Sequence, residues 1–254
     1  MIKFENVSII IPTMYETSEF EKVVGLCLEN VAPSDLKEII VVYSPRSSLE
    51  NVASIDKIRT IVEETGASYI KLLQTRKFMG GAMRDGIDIA RGSHIIIMDA
   101  GMATDPNLVP QMIELAKKYP NDIIKASRIM KGGSLGNGYD PLKKIWNKFS
   151  QFVISIYYLH RLMDFTFPYW IVPTRYYQAV EWKEDKHPFN IESVLKFLKL
   201  GIKIREAIPA VQTGGTQSGY KETLGYFKPM LKIRFMRKKN ILKDGVSIQT
   251  LGEK

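Results

Sequence analysis

Apolar residues in the first half of the chain fall into short unbroken runs, separated by stretches in which they recur every third or fourth position. The runs at residues 7–13 (VSIIIPT), 38–44 (EIIVVYS), 69–73 (YIKLL), 93–98 (SHIIIM) and 122–127 predict β-strands. Several bulky apolar residues in a row suit a strand covered on both faces, which has no solvent side to furnish with polar residues. Between them, residues 19–28, 54–65, 80–90 and a stretch running from Pro106 to Tyr119 space their apolar residues as one helical face does. The alternation predicts an α/β fold with a mostly parallel central sheet and helices on both faces. Right-handed crossovers then put the ligand crevice outside the carboxyl ends of the strands.

After residue 127 the alternation stops. Residues 132–140 (GGSLGNGYD) read as a glycine-rich loop. Residues 144–163 predict a strongly apolar helix carrying Trp146, Phe149, Phe152, Ile156 and Leu159, too interrupted to span a bilayer. It suits either a core position or the surface of a membrane. Residues 220–243 hold eight Lys or Arg against one acid, Glu222, interleaved with Tyr226, Phe227, Met230, Leu231, Phe235 and other apolar residues. A solvated linker would not carry those apolar residues, so this segment is expected to be a packed helix or a membrane-surface segment. The expected division is a domain over residues 1–219 and a basic amphipathic tail over residues 220–254.

Composition narrows the function. The 254 residues are 45% hydrophobic and 25% charged, an ordinary globular balance, and the formal net charge of +9 calls for an anionic partner. Nucleic acid is not the expected one, because the positive charge concentrates in an apolar tail and no nucleic-acid motif is present. The single cysteine, Cys27, excludes an intramolecular disulfide and a Cys-rich metal site. The amino terminus lacks the features of a signal peptide, so the expected location is cytoplasmic, peripheral at the inner face of a membrane.

The strand at residues 93–98 leads directly to Asp99, which would hold a carboxylate at the mouth of the crevice. Asp105 followed by Pro106 reads as a helix cap with proline in the first helical position. Taken together, SIIIPTMYET, KFMGGAMRDGIDIARGSHIIIMDAG, KASRIMKGG, MDFTFPYWIVP and NIESVLKFLKLGIKIREAIP resemble, in order, the motifs of inverting GT-A fold (family 2) glycosyltransferases. The resemblance is to the branch of dolichyl-phosphate mannose synthase and related polyprenyl-phosphate glycosyltransferases.

It implies transfer of a sugar from a nucleotide-sugar donor to an acceptor such as a polyprenyl phosphate, by inverting displacement. It further implies Asp164 and Asp99 as catalytic residues. The donor would meet Pro12, Thr13, Glu16, Tyr43, Ser44, Gly80, Gly81, Asp99, Ala100 and Gly101, and an acceptor or phosphate would meet Arg128, Lys131 and Glu192. Departures from the family pattern fall at the donor site. Gly101 stands where a second Asp is usual, leaving Asp99, with Asp105 as a further candidate, to hold Mg²⁺ or Mn²⁺. Tyr43 and Ser44 replace the usual acidic pair that reads base and ribose, and the usual Arg and Ser are replaced within residues 212–220 (QTGGTQSGY), where no residue, Thr213 and Ser218 included, gives a clear match. A non-catalytic GT-A protein acting as a binding subunit at a membrane surface is the alternative expectation.

Overall fold

The computed structural model describes residues 2–136, 140–212, 225–247 and 251. Among these residues seven strands form one sheet: β1 (Val7–Thr13), β2 (Leu36–Tyr43), β3 (Ser68–Leu73), β4 (His94–Ile97), β5 (Ile123–Ser127), β6 (Trp170–Pro173) and β7 (Ile204–Pro209), in the order β3-β2-β1-β4-β6-β5-β7. All neighbours are parallel except β6, which runs antiparallel to both β4 and β5. The expected mostly parallel sheet is therefore present. The antiparallel WIVP strand goes beyond the sequence-based expectation, since four residues after a proline carry too short a periodic signal to stand out.

The unbroken apolar runs are explained by the two sides of the sheet. Ile10, Ile40, Val42, Ile95 and Ile97 face one core, while Val7, Ile9, Ile11, Ile39, Val41 and Ile96 face the other. Helices α1 (Ser18–Asn30), α2 (Leu49–Glu64) and α4 (Val109–Lys118) cover the second core, which contains Cys27. Helices α3 (Phe78–Ile89), α6 (Thr174–Ala179) and α7 (Pro188–Leu200) cover the first. Helix α2 begins five residues earlier than its periodicity predicts, because Ser48 caps it by accepting a hydrogen bond from the Asn51 amide.

Two further helices complete the described chain. Helix α5 (Pro141–Tyr158) buries little besides Gln151 and Ile154, and α8 (Phe227–Phe235) packs on α7 with Met230 and Ile233 inward. Ile241 and Leu242 are also buried, with Leu242 bridged to Val180. The described part of the basic tail thus contributes to the core while leaving Leu231 and Phe235 exposed. No helix among the described residues is long and apolar enough to cross a membrane.

Candidate functional site

The strand order turns about β1: β2 and β3 extend to one side and β4 to the other. The loops after β1 and β4 therefore flank a crevice at the carboxyl edge of the sheet. On the β1 side, Glu16 Oε2 accepts hydrogen bonds from the Thr13 hydroxyl (3.0 Å) and from the amides of Met14 (3.0 Å) and Tyr15 (3.1 Å). Burial raises the pKa of this carboxyl, but those donors outweigh burial and hold it below its ordinary value. Asn51, at the start of α2, donates to Thr13 Oγ1 at 2.8 Å and to the Glu16 carbonyl. Its buried Oδ1 has no hydrogen-bond partner among the described residues.

Across the crevice, Asp99 Oδ1 organises its own loop by accepting from the amides of Gly101 (2.9 Å) and Ala103 (3.0 Å), while the Asp99 amide donates to Thr104 Oγ1. Met102 in this loop has φ of 63°, a left-handed conformation that costs a side-chain-bearing residue about 1–3 kcal/mol. A Cβ built on Gly101 would lie 3.3 Å from Asp99 Oδ1 and 4.0 Å from Glu16 Cγ. The position that lacks a second carboxylate therefore sits between the two carboxylates the site retains.

This donor set does not fit a divalent ion held by the protein. No group of three or more His, Cys, Asp or Glu side chains that could hold a metal is present among the described residues. Asp99 Oδ1 and Glu16 Oε2 are committed to their loops, and Asp105 Oδ1 caps the short turn Pro106–Leu108 by accepting from the Asn107 amide (3.0 Å). Asp105 is thus accounted for as the cap its sequence context predicts.

Other expected donor residues divide by what the fold asks of them. Tyr43 ends β2, half-buried, with the Lys71 ammonium 5.3 Å from its ring centre, and Ser44 Oγ accepts from the Arg46 amide in the turn that follows. Pro12 is half-buried and Ala100 buried at the ends of β1 and β4. Gly80 and Gly81 are packing glycines. A Cβ on Gly80 would come within 2.8 Å of the Asp185 backbone, one on Gly81 would come within 2.8 Å of Arg76 Cβ, and the Gly81 amide already donates to the Asp185 carbonyl (3.2 Å).

At the carboxyl end of β5, Arg128 is clamped. Its Nε donates to Asp164 Oδ2 (2.8 Å), one Nη to Asp164 Oδ1 (2.9 Å) and the other Nη to Gln212 Oε1 (2.8 Å), over the face of Phe167 at 4.6 Å. Asp164 is fully buried and also accepts from the amides of Arg128 and Phe167. Burial opposes its ionisation, yet the Arg128 charge and hydrogen bonds overcome burial and hold the carboxyl far below the usual carboxylate range. With both oxygens committed, Asp164 is arranged to orient Arg128 and not to take a proton. Lys131 is exposed on the turn that follows.

Beneath this pair lies Lys125, fully buried, donating to the Phe167 carbonyl, its ammonium 5.1 Å from the Trp170 ring centre. Burial pulls its pKa down to about 8 against the opposing pull of Asp164 and Glu206. Glu192 is 3% exposed, paired with Lys196 Nζ at 2.6 Å, and accepts from the amides of Lys183 and Glu184. Its carboxylate shapes the loop ahead of α7 and is not presented to an acceptor. The structure instead brings Glu184, absent from the sequence-based expectation, to that loop beside Asp185, which packs on the start of α3. Burial and the neighbouring Glu192 raise the pKa of Glu184. The only sequence signal was a pair of adjacent acids, Glu184 and Asp185, ahead of Pro188.

Three comparisons bear on this arrangement. The model of "Glycosyl transferase family 2" matches residues 8–180. A dolichol-phosphate mannosyltransferase of Pyrococcus furiosus is 31% identical over 135 residues, covering 52% of this chain and 36% of the relative, so the match spans about a third of that protein's length. Glucosyl-3-phosphoglycerate synthase from Mycobacterium tuberculosis, solved with Mn²⁺, UDP and glucosyl-3-phosphoglycerate, superposes with a TM-score of 0.65 at 13% identity, over 95% of this chain and 82% of that one. The same enzyme with Mg²⁺ and UDP gives 0.63 at 14% identity, with coverage of 95% and 82%. These structural likenesses show a shared GT-A fold. With the family model matching more than half of its length, across the loops that carry Glu16, Asp99, Arg128 and Asp164, the chain belongs to glycosyl transferase family 2.

Proposed function

We propose that this protein transfers a sugar from a nucleoside-diphosphate sugar to a phosphate group, the phosphate being carried by a polyprenyl chain. The donor occupies the crevice between the Thr13–Glu16 turn and the Asp99–Ala103 loop. The acceptor approaches from the Arg128–Lys131 side. The observation that carries the acceptor class is the commitment of Asp164 to Arg128. A hydroxyl acceptor needs a general base, which contributes roughly 10²–10⁴-fold in rate, whereas a phosphate is already ionised at neutral pH. The relative's name, dolichol-phosphate mannosyltransferase, supports the same class.

In this reading one acceptor phosphate oxygen attacks the anomeric carbon from the face opposite the diphosphate. The new C–O bond forms as the bond to the diphosphate oxygen breaks, and its electron pair leaves with the nucleoside diphosphate. The anomeric configuration inverts and no proton moves. Lys131 balances charge on the incoming or departing phosphate, and Arg128, held in one orientation by Asp164, sets the positive field at that side of the crevice. A divalent ion would enter with the diphosphate, and Asp99 would be its contact with the protein.

Glu184 supports a second reading, a hydroxyl acceptor with this raised-pKa carboxylate as base. Nucleoside diphosphate release should be measured with a short-chain polyprenyl phosphate, with the matching polyprenol and with a soluble sugar alcohol. Turnover restricted to the phosphate, and retained in Glu184→Gln, is the expected result. Turnover of the alcohols that Glu184→Gln abolishes would replace the first reading with the second, and no release with any acceptor would favour a binding protein.

A further inference from the structure

Helix α5 turns its apolar side outward. Leu142, Ile145, Phe149, Phe152 and Ile156 recur at alternating steps of three and four residues and form one exposed stripe beside Trp146; Phe149 is 55% and Phe152 61% exposed. The helix is anchored by its opposite side. There Gln151 accepts from the Phe165 amide (2.7 Å) and donates to Thr166 Oγ1 (2.9 Å), and Thr166 in turn accepts from Arg128.

The anchored side of α5 also meets a second element. The Tyr158 hydroxyl donates to the Met230 carbonyl (2.6 Å), and the Arg234 guanidinium lies over the rings of Tyr157 and Tyr158, joining the end of α5 to α8. There Leu231 and Phe235 are exposed, Phe235 at 80%. Exposed cations border both helices: Lys148 and Arg161 along α5 and the turn after it, and Arg237, Lys238 and Lys239 just past α8. Residues 141–163 and 225–243 contain no Asp or Glu.

That charge pattern selects the occupant. A second copy of this chain, packed about a two-fold axis on the same face, would oppose cations with cations. An anionic bilayer accepts both features, apolar rings between the acyl chains and cations at the headgroups. We propose that the exposed apolar residues of α5 and α8 dock the protein on an anionic lipid surface, lying in the interface without crossing it. Docking would then set the Arg128 side of the crevice, tied to α5 through Gln151 and Thr166, at the height of a lipid-borne phosphate. That last consequence rests on the acceptor class proposed above, whereas the docking does not.

Flotation of the full chain with vesicles tests it without any donor or acceptor. The chain should float with phosphatidylcholine–phosphatidylserine vesicles at low salt, remain below with phosphatidylcholine alone, and be released by salt as surface charges are screened. Replacing Lys238 and Lys239 by Ser should weaken binding about 25-fold, at about fivefold per cation near the surface. The double variant Phe149→Ser/Phe152→Ser alters exposed rings only, so it should keep the native melting temperature and lose flotation. Failure of the native chain to float at low salt would overturn the proposal, as would undiminished flotation of the double variant. So would a native dimer that the double variant converts to monomer. A chain that floats but transfers nothing keeps the docking and loses the acceptor reading. One that turns over detergent-dispersed polyprenyl phosphate without floating does the reverse.

Discussion

Asp164 and Lys125 show how one environment can turn two ionisable groups to structural use. Around a fully buried carboxylate the fold supplies Arg128 and three backbone amides, and that ionised pair lies close to a lysine whose charge burial opposes. The sign of the Lys125 effect follows from proton counts. Its folded pKa, about 8, lies below the 10.5 of a free lysine, so between those values the unfolded chain binds more protons. Stability contributed by this group is therefore lowest below pH 8 and rises toward pH 10.5, by on the order of 3 kcal/mol. Urea unfolding of the native chain and of Lys125→Met across that window should show a rise in the first that is missing from the second. Parallel pH profiles would mean that Lys125 titrates normally.

Helix α3 illustrates how an element is placed by what it lacks. Alanine at Gly86 would gain about 1 kcal/mol in helix propensity. Its Cβ, however, would sit 2.6 Å from Ile10 Cγ2 and 3.2 Å from Val42 Cγ2, both on β-branched residues in the middle of the sheet with no room to retreat. Overpacking of this kind costs about 1–3 kcal/mol, so the steric term wins. Gly86→Ala is expected to lower the urea midpoint by an amount equivalent to up to about 2 kcal/mol, with an unchanged m-value. A raised midpoint would show that α3 lies farther from the sheet. The same close approach explains Gly80 and Gly81, which bring the start of α3 against Asp185 and Arg76 beside the crevice.

For the molecule as a whole, the crevice is a joint product of three loops whose strands are separated in sequence by tens of residues, so a ligand there should stabilise the fold globally. A nucleoside diphosphate at about a hundred times its dissociation constant would add roughly 2.7 kcal/mol and raise the melting temperature. Because the retained carboxylates do not form a protein-held metal site, Mn²⁺ alone is expected to leave the melting temperature unchanged, and to raise it further only when the diphosphate is present. Asp99→Asn should melt like the native chain without ligand, since Gly101 and Ala103 still find an oxygen at that position, but lose the added Mn²⁺ effect. A metal-dependent shift without nucleotide would overturn this account of the site.

Much of this was legible in the chain itself. Unbroken apolar runs required strands covered on both faces, and five of the seven strands follow from them; the ordered motifs brought Glu16, Asp99, Arg128 and Asp164 into view. Local physics carries the strands and Asp99, because periodicity and capping act over a few residues, whereas Glu16, Arg128 and Asp164 came from the family resemblance. What the three-dimensional arrangement added depends on contacts between residues far apart in sequence. Asp164 lies 36 residues from Arg128 and was expected beside the acceptor; the pairing that removes it from proton transfer exists only once β6 runs back between β4 and β5. Glu192 is withdrawn in the same way by Lys196 and the loop ahead of α7. The apolar helix over residues 144–163 suited a core or a membrane surface equally well from its composition, since hydrophobicity reports the need for cover and not its source. Packing decided which side stays uncovered: Gln151 and Ile154 are taken inward, and Phe149 and Phe152 are left exposed.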